Sequence, residues 1–450
     1  MTINRRQFLT AGGAATLFAA TPGLSYAQVV GSAGPFTDYR ALVCVFLFGG
    51  NDSFNMLVPR SNAEYDVYAQ SRQNLAVAQQ DLLPISPLTA TGVDYGLHPS
   101  MSGLQGLFES GSAAFVTNVG PLVAPTTKDA IFSGSATLPP QLFSHNDQQD
   151  QWTSLKGNDV SATGWAGRMA DLIRSGVTDQ QMATNASLFG NNLWQAADET
   201  VAYVMGPTGP LQFEGFSAVP DTPGFAQQQL VQRILDADYD SLYARAFADV
   251  QRRAINAAET ISGAINSAPV LATEFPQSQL GTQLQTVARL IAVRDELQMQ
   301  RQIFFVAAGG FDSHDNQNED QPGLLGGVSD AMTAFYNASV ELGVADSVTS
   351  FTQSDFGRTL TSNGDGTDHG WGGNQIVIGG AVQGREMYGD YPLLAINGDD
   401  DVGSGRMIPT TSADQYAATL ASWFGIDDAD LGVVAPNLGN FAVRDLGFMG

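Results

Sequence analysis

Several short apolar runs, each followed by a polar loop rich in glycine or aspartate, constrain the fold of this chain more than any other feature. Five of these runs occupy residues 41–48, 113–119, 303–307, 348–353 and 376–378. Runs of this length without a polar face predict strands that are buried on both sides, as in a parallel sheet. Helical patterns lie between them, including a capping box at Ser412 to Gln415. The sequence therefore predicts an α/β fold with a doubly wound, mostly parallel sheet.

One stretch interrupts the alternation of strands and helices. From about residue 225 to 300, apolar residues recur at steps of three and four without a strand-like run, and a proline-bounded break lies at 269–276. This spacing predicts two long amphipathic helices. They would form a helical insertion or cover one face of the sheet.

The charge of the chain excludes some classes of partner. Its 450 residues include 45 Asp and Glu but only 20 Lys and Arg, a formal net charge of −25. Nucleic-acid binding requires a basic surface, and an anionic membrane would repel so acidic a protein. We therefore expect no nucleic-acid partner, and we expect either a small anionic ester substrate or a secreted protein partner.

The first 27 residues are typical of an export signal. Arg5 and Arg6 are followed by Phe8 and Leu9, then by an apolar run at 10–20 and a small-residue site ending at Ala27. The paired arginines predict the twin-arginine pathway. A membrane anchor is the alternative, but the run is shorter than the roughly 18 residues that a spanning helix needs. We expect residues 28–450 to form a single periplasmic or extracellular domain without a transmembrane segment.

Acidic and imidazole side chains follow the predicted strands. Asp52, Asp312 with His314, and Asp355 come after three of them, and His369 lies in the loop after Asp355. Ligands of open parallel sheets bind at the carboxyl ends of the strands, where these residues would meet. Because carboxylates that lie close together repel, the set predicts one divalent cation, Mg, Mn, Ca or Zn. The alternative is that each aspartate caps a helix or forms a turn.

Three further residues are candidates for the chemistry. Ser144 could begin a helix through 148–152, where a hydroxyl beside backbone N–H groups is a candidate nucleophile, and His145 follows it. A simple helix cap is the alternative for Ser144. Arg358 could pair with a neighbouring carboxylate or clamp an anionic substrate.

These residues resemble the motifs of the exported bacterial family catalogued as domain of unknown function 1501. The matching stretches follow one another over nearly all of the mature chain: 46–52, 144–145 with 148, 310–314, 354–358, 367–373 and 377–382. The resemblance implies membership of the alkaline phosphatase and sulfatase-like superfamily. Its members hold one or two metals at the edge of a parallel sheet and use a Ser, Thr or modified Cys nucleophile at a helix start.

The resemblance also implies roles for single residues. Asp52 corresponds to the first-strand metal ligand, Asp312 and His314 to an acid and histidine pair, Asp355 to the next metal aspartate, and His369 to a late histidine.

Ser144 takes the place of the nucleophile, and His145 that of a ligand or proton donor. Two departures are Phe356, where metallophosphatases carry a histidine, and Gln375, where many relatives are expected to have one. The first departure argues against a second metal.

Two functions follow as hypotheses. The first is an exported, metal-dependent hydrolase of phosphate or sulfate esters, in which the metal polarises the ester and a histidine protonates the leaving group. The second is a secreted binding or assembly protein that keeps the fold and a structural metal without an activity.

Overall fold

The five apolar runs form strands of one nine-stranded sheet in the computed structural model. The structure describes residues 35–157, 162–177, 179–211, 215–217 and 219–450, and the predicted export signal lies outside these residues. No helix in these ranges combines the length and the hydropathy needed to cross a membrane.

The strands of the described residues are numbered in chain order. They are β1 Arg40–Leu47, β2 Leu57–Pro59, β3 Leu83–Ile85, β4 Tyr95–Leu97, β5 Ala113–Gly120, β6 Asn185–Ser187, β7 Tyr203–Val204, β8 Arg301–Ala308, β9 Val348–Ser354, β10 Arg358–Ser362, β11 Thr367–His369, β12 Gly373–Gly379, β13 Met387–Tyr388 and β14 Thr411–Ser412.

The α-helices of the same residues are numbered likewise. They are α1 Asn62–Arg72, α2 Ser102–Glu109, α3 Lys128–Phe132, α4 His145–Ser154, α5 Trp165–Ile173, α6 Pro223–Leu235, α7 Leu242–Ser267, α8 Gln279–Ala292, α9 Gln317–Glu341, α10 Ala413–Phe424 and α11 Leu431–Val434. Short 3₁₀ helices lie at Gln73–Leu75, Gln79–Asp81, Ala345–Ser347 and Leu438–Asn440.

The central sheet is mostly parallel. Its strand order is β13-β5-β12-β9-β1-β8-β6-β7, and β14 also pairs with β5. The strand β1 pairs in parallel with both β8 and β9, whereas β12 runs antiparallel to β5 and β9. Because β12 is reversed, its first residue rather than its last lies at the edge where β1, β8 and β9 end. A small hairpin, β10-β11, precedes β12 on that edge.

Hydrophobic cores lie on both faces of the sheet, since alternate side chains of β1 point to opposite sides. Val43 and Val45 pack with α2, α7, α8 and α9 on one face. Leu42, Cys44 and Phe46 pack with α4, α5, α10 and α11 on the other. The predicted doubly wound α/β fold with a mostly parallel sheet is therefore confirmed.

The helical stretch differs from the prediction in its number of helices. Three helices, α6, α7 and α8, replace the two that were predicted, because a second break separates α6 from α7. The break contains Asp236, Asp238 and Asp240, and Ser241 then caps α7 by accepting a hydrogen bond from Ala244 N. Short polar side chains of this kind compete with helical hydrogen bonds and favour turns. The helix α8 packs in the core against the sheet.

The helix α10 begins and ends as its sequence predicts. Ser412 and Gln415 form the capping box, and Gly425 ends the helix with a φ of +112°.

Asp414, in the first turn, is buried and accepts a 2.8 Å hydrogen bond from Asn437 N. Burial raises the pKa of Asp414 to about 7, although the bonds from Asn437 and the charge of Arg168 act to lower it.

Asp414 should therefore make the stability of the fold depend on pH. The folded protein keeps this proton up to about pH 7, whereas the unfolded chain releases it near pH 4. Relative to Asp414→Asn, the wild type should lose up to about 1.4 kcal/mol of unfolding free energy per pH unit between these limits. Denaturant titrations at several pH values measure the difference. The exposed Asp428→Asn is the control and should follow the wild type; parallel curves for wild type and Asp414→Asn would contradict the prediction.

Candidate metal centre

The loops that follow β1, β8 and β9 meet at one edge of the sheet. Leu47 lies opposite both Ala308 and Ser354, so the three strands end level with one another. The loops include residues 48–52, 309–314 and 355–357. Gly49 has a φ of +117°, and a side chain at this position would collide with the backbone nitrogen of Asp312. The glycine after β1 is therefore needed for the close approach of the loop after β8.

Two imidazoles and one carboxylate converge above this edge. His145 Nε2 lies 3.4 Å from Asp312 Oδ2, and His369 Nε2 lies 3.3 Å from Asp312 Oδ1. One possible ligand atom from each residue lies within 4.8 Å of the other two. We call these three residues the His–Asp–His centre. Asp312 is exposed and both histidines are half-buried, so the centre is open to solvent on one side.

The ring of His145 is oriented by Asp355. Its Nδ1 lies 2.6 Å from Asp355 Oδ2, and Asp355 is fully buried. Asp355 also accepts hydrogen bonds from Gln149 Nε2 at 2.8 Å and from Gly49 N at 3.2 Å. Because a carboxylate accepts, the proton of the neutral ring lies on Nδ1, and Nε2 presents its lone pair to Asp312.

The ring of His369 is oriented in the same sense by a backbone carbonyl. His369 Nδ1 donates to Phe143 O at 2.7 Å, which leaves Nε2 unprotonated and facing Asp312. Burial lowers the pKa of His369, assisted by the charges of His145 and Arg358; the Phe143 carbonyl opposes this effect. The neutral ring that results is the form that binds metals.

A third imidazole, His314, lies beside the centre. Its Nε2 is 3.0 Å from Asp312 Oδ1 and 2.9 Å from His369 Nε2, and its Nδ1 is 3.3 Å from Asp368 Oδ1. Two facing ring nitrogens need one proton between them, and His369 holds its own proton on Nδ1. His314 Nε2 is therefore the protonated atom of this pair. Its side chain is 44% exposed.

Arg358 holds Asp312 in place. The guanidinium is fully buried, and its Nη1 donates to Asp312 Oδ1 at 2.6 Å and to Gly49 O at 3.0 Å. Its other donors bind Thr367, at the carbonyl oxygen and at Oγ1. Burial acts to raise the pKa of Asp312, but the bond and charge of Arg358, helped by the two nearby histidines, bring it below its ordinary value. Of the two roles expected for Arg358, the structure shows the ion pair with a carboxylate.

The side-chain partners of Asp52 do not belong to the His–Asp–His centre. It is buried, and its carboxylate forms an ion pair with Arg72 and accepts a hydrogen bond from Gln317. The structure shows no contact between Asp52 and the three histidines near the edge among the described residues. Asp52 thus has a cationic partner of its own.

Ser144 precedes α4, as predicted, but its hydroxyl is engaged. Ser144 Oγ donates to Asp147 Oδ2 at 2.5 Å and makes no capping bond to a backbone N–H of the helix. The hydroxyl is thus bonded to a carboxylate of its own helix rather than to a residue of the centre.

Phe356 forms an apolar wall behind the centre. It is buried, and its ring centroid lies 4.8 Å from that of His145 and 4.6 Å from that of His369. Gln375 is buried in β12 and accepts a 2.9 Å hydrogen bond from Thr352 Oγ1. The two departures from the family pattern are therefore a packing residue and a residue bonded within the sheet.

Sequence reasoning missed several residues that touch the site. Gln149 binds Asp355, whereas the side chain of the neighbouring Gln148, which belongs to the family motif, is fully buried without a hydrogen bond in the described structure. Arg406 donates to His369 O at 2.9 Å, and its Cζ lies 4.9 Å above the ring of Phe143. No local pattern marks such residues, because their partners are far away in sequence.

The donor set of the centre fits a divalent metal. Two imidazole nitrogens and a carboxylate oxygen converge, and each Nδ1 is anchored by an acceptor, Asp355 or the carbonyl of Phe143. Anchoring of the remote ring nitrogen is the usual arrangement of histidines that bind metals. Imidazole ligands favour Zn over Mg or Ca, which prefer oxygen. Asp312 belongs to this set, whereas Asp355 contacts the ring of His145 instead of facing the centre.

Comparison with the curated proteins finds no match. Among solved structures, Ps i-CgsB in complex with k-i-k-neocarrahexaose is 10% identical with a TM-score of 0.32, covering 88% of this chain and 74% of that one. A Bacteroides thetaiotaomicron protein of a locus for the metabolism of multiple glycosaminoglycans has the same identity, 10%, and TM-score, 0.32, with coverages of 87% and 74%. The soluble domain of lipooligosaccharide phosphoethanolamine transferase A from Neisseria meningitidis is 8% identical with a TM-score of 0.34, covering 90% and 94%.

Similarity of this extent is too low to transfer an activity to this chain. The sequence itself matches one family profile over residues 39–433, which include every residue of the candidate centre. The chain therefore belongs to the family described as protein of unknown function DUF1501.

Proposed function

We propose that this protein is an exported, metal-dependent hydrolase of phosphate or sulfate esters, of the alkaline phosphatase and sulfatase-like type. One divalent cation would be held by His145, Asp312 and His369. The observation that carries the proposal is the convergence of two anchored imidazoles on one exposed carboxylate. Such an arrangement leaves lone pairs facing one another, which is costly unless a cation or protons lie between them.

The geometry supports one zinc ion rather than two metals. His314 lies within 3.0 Å of Asp312 and is available as a fourth ligand or as an acid. Phe356 closes the other side of the two imidazoles with carbon atoms, where a second cation would find no ligand. When bound, the metal would polarise an ester oxygen and make a nucleophile available at neutral pH.

The residues of the chain would then supply orientation and protons. Asp355 and the carbonyl of Phe143 fix the two ligand rings, and Arg358 fixes Asp312. His314 is exposed and lies beside the centre, so it is the candidate acid for a leaving-group oxygen. Ser144 is the candidate nucleophile only if its hydroxyl leaves Asp147.

Arg406 is the cation best placed to bind an anionic substrate. Its side chain is half-buried. It donates a hydrogen bond to the backbone oxygen of His369, and its guanidinium lies over the ring of Phe143. Its Nε and Nη1 donate to backbone carbonyls, whereas Nη2 makes no hydrogen bond in the described residues. Arg358 is fully committed, so Arg406 supplies the guanidinium edge that could reach a phosphate or sulfate.

Export rests on the sequence of the first 27 residues. The twin-arginine signal, and the periplasmic or extracellular location that follows from it, are part of the proposal, as is a single domain over residues 28–450. Export of the folded protein would allow the metal to be bound beforehand.

A second candidate function is a secreted binding or assembly protein with a structural metal. The bond of Ser144 to Asp147 and the burial of Arg358 favour it, because the hydroxyl is already hydrogen-bonded and the guanidinium is shielded from solvent. The two functions predict the same metal but differ in whether any ester is hydrolysed.

The wild-type protein should hold about one equivalent of zinc by elemental analysis after purification without chelators. His145→Ala and His369→Ala should each remove a ligand and lower zinc affinity at least a hundredfold, the upper end for changes around a metal site. Asp355→Asn should lower it about tenfold, because the amide orients His145 less well.

The fourth histidine of the chain provides the control. His98 lies outside the centre and is bonded to Ser100, so His98→Gln should keep the full zinc content. Metal-free wild-type protein, reconstituted with Zn, Mn, Mg and Ca in turn and still binding none, would refute the metal centre.

Zinc-loaded protein should hydrolyse an aryl phosphate or an aryl sulfate. His314→Gln should lower kcat by about 10² or more if this ring is the acid. Arg406→Gln should raise KM with a smaller effect on kcat, because it removes binding of the anion common to substrate and transition state.

Ser144→Ala separates the remaining alternatives. Loss of turnover with zinc content intact would assign the nucleophile to Ser144, and unchanged turnover would assign attack to water. No turnover of either ester by protein that holds its metal would overturn the hydrolase and support the binding protein.

A further inference from the structure

A chain of hydrogen bonds connects a buried ion pair with the carboxylate of the proposed metal centre. Gln317, the first residue of α9, is fully buried and lies between the two. Its Nε2 donates to Asp52 Oδ2, and its Oε1 accepts from Thr367 Oγ1 at 2.7 Å and from Ser313 Oγ at 3.3 Å. Gln317 is thus bonded at both ends of its amide.

The partners fix the direction of every bond in this chain. Asp52 is a carboxylate and only accepts, so the amide nitrogen of Gln317 must face it. The amide oxygen then faces Thr367, whose hydroxyl must donate to it. The lone pairs of that hydroxyl are left to accept from Arg358 Nε at 3.2 Å. Arg358 Nη1 in turn donates to Asp312 Oδ1 at 2.6 Å.

The far end of the chain is firmly held. Asp52 forms a buried ion pair with Arg72, and its backbone oxygen accepts from Gln321 Nε2 at 3.0 Å. Arg72 Nε donates to Asn55 Oδ1 at 2.9 Å, and all of these residues are buried. Asp52 Oδ1 has no hydrogen-bond partner among the described residues, but the other bonds of this buried pair favour a single arrangement.

We propose that Gln317 is a positioning residue that fixes the Asp312 carboxylate through Thr367 and Arg358. The inference rests on the proposed function, because it takes Asp312 to be a metal ligand. The guanidinium is planar, so fixing Nε at Thr367 also sets the direction of Nη1 toward Asp312. Gln317 therefore links the rigid Asp52–Arg72 pair to a carboxylate on the exposed side of the sheet edge.

The side chain of Gln317 can be tested separately from the backbone. The backbone bonds Gln317 N to Asp365 O, at 3.0 Å, and Thr367 N to Ser313 O, at 2.9 Å, tie the two loops together. These bonds do not depend on the amide. Gln317→Leu keeps them and a similar volume but removes both ends of the side-chain link.

The first measurement is the crystal structure of metal-free protein. In the wild type and in Asn318→Ala, a control on the same turn of α9, the Arg358 Nη1 to Asp312 Oδ1 contact should persist. In Gln317→Leu and Thr367→Val that contact should be broken or split between conformers. Thr367→Ser keeps the hydroxyl and should restore it.

The second measurement is a zinc titration of the same variants. Gln317→Leu and Thr367→Val should each weaken zinc binding about tenfold, a value typical of residues that support metal ligands. The double variant should be no weaker than the worse single one, because both changes break one chain. Thr367→Ser should bind as the wild type does, which a general loss of stability would not produce.

The two measurements separate the inference from the proposed function. If the wild type binds no metal but Gln317→Leu loses the Arg358–Asp312 contact, the proposed function fails and the positioning role is supported. An unchanged contact in folded, metal-free Gln317→Leu would overturn the positioning role even if zinc binds, and so would additive effects in the double variant. If Gln317→Leu does not fold, the Thr367→Val and Thr367→Ser pair decides by the same contact.

Discussion

The parallel pairing of β1 with both β8 and β9 is the constraint on which the rest of the site depends. It makes three strands end level with one another, and an aspartate follows each of them within a few residues. Three carboxylates at one sheet edge would repel one another, and burial would make the repulsion stronger. The fold therefore has to supply a separate compensation for each carboxylate.

The compensation differs from one aspartate to the next. The partners are Arg72 for Asp52, Arg358 for Asp312 and His145 for Asp355. Asp52 and Asp355 are themselves buried, whereas Asp312 keeps 43% of its side chain exposed. Of the three, only Asp312 combines a pKa that Arg358 lowers with a carboxylate exposed to solvent. Differences in burial thus distinguish three similar residues: an anchor, an exposed candidate ligand and a support for a histidine.

Phe356 is the basis for proposing one metal rather than two at this edge. Its buried ring packs against the rings of His145 and His369, whose Nδ1 atoms are bonded to Asp355 and to the carbonyl of Phe143. The acidic and imidazole ligands accordingly face a single point. The proposed zinc centre and the link from Gln317 to Asp312 both follow from this one-sided arrangement, in which Arg358 approaches Asp312 from within the protein.

The strands, the doubly wound sheet and the capping box of α10 could all be predicted from the sequence, because burial periodicity and capping are local signals. The sequence also pointed to His145, Asp312, His314 and His369, which the structure brings together: Asp312, His314 and His369 were expected in loops after strands, and His145 at the start of a helix. It could not say which aspartate faces a ligand, since that depends on partners brought in by the fold. His145 lies 210 positions from Asp355, and Gln317 lies 265 positions from Asp52. Only tertiary structure pairs such residues, because a hydrogen bond depends on distance in space and leaves no periodic trace along the chain.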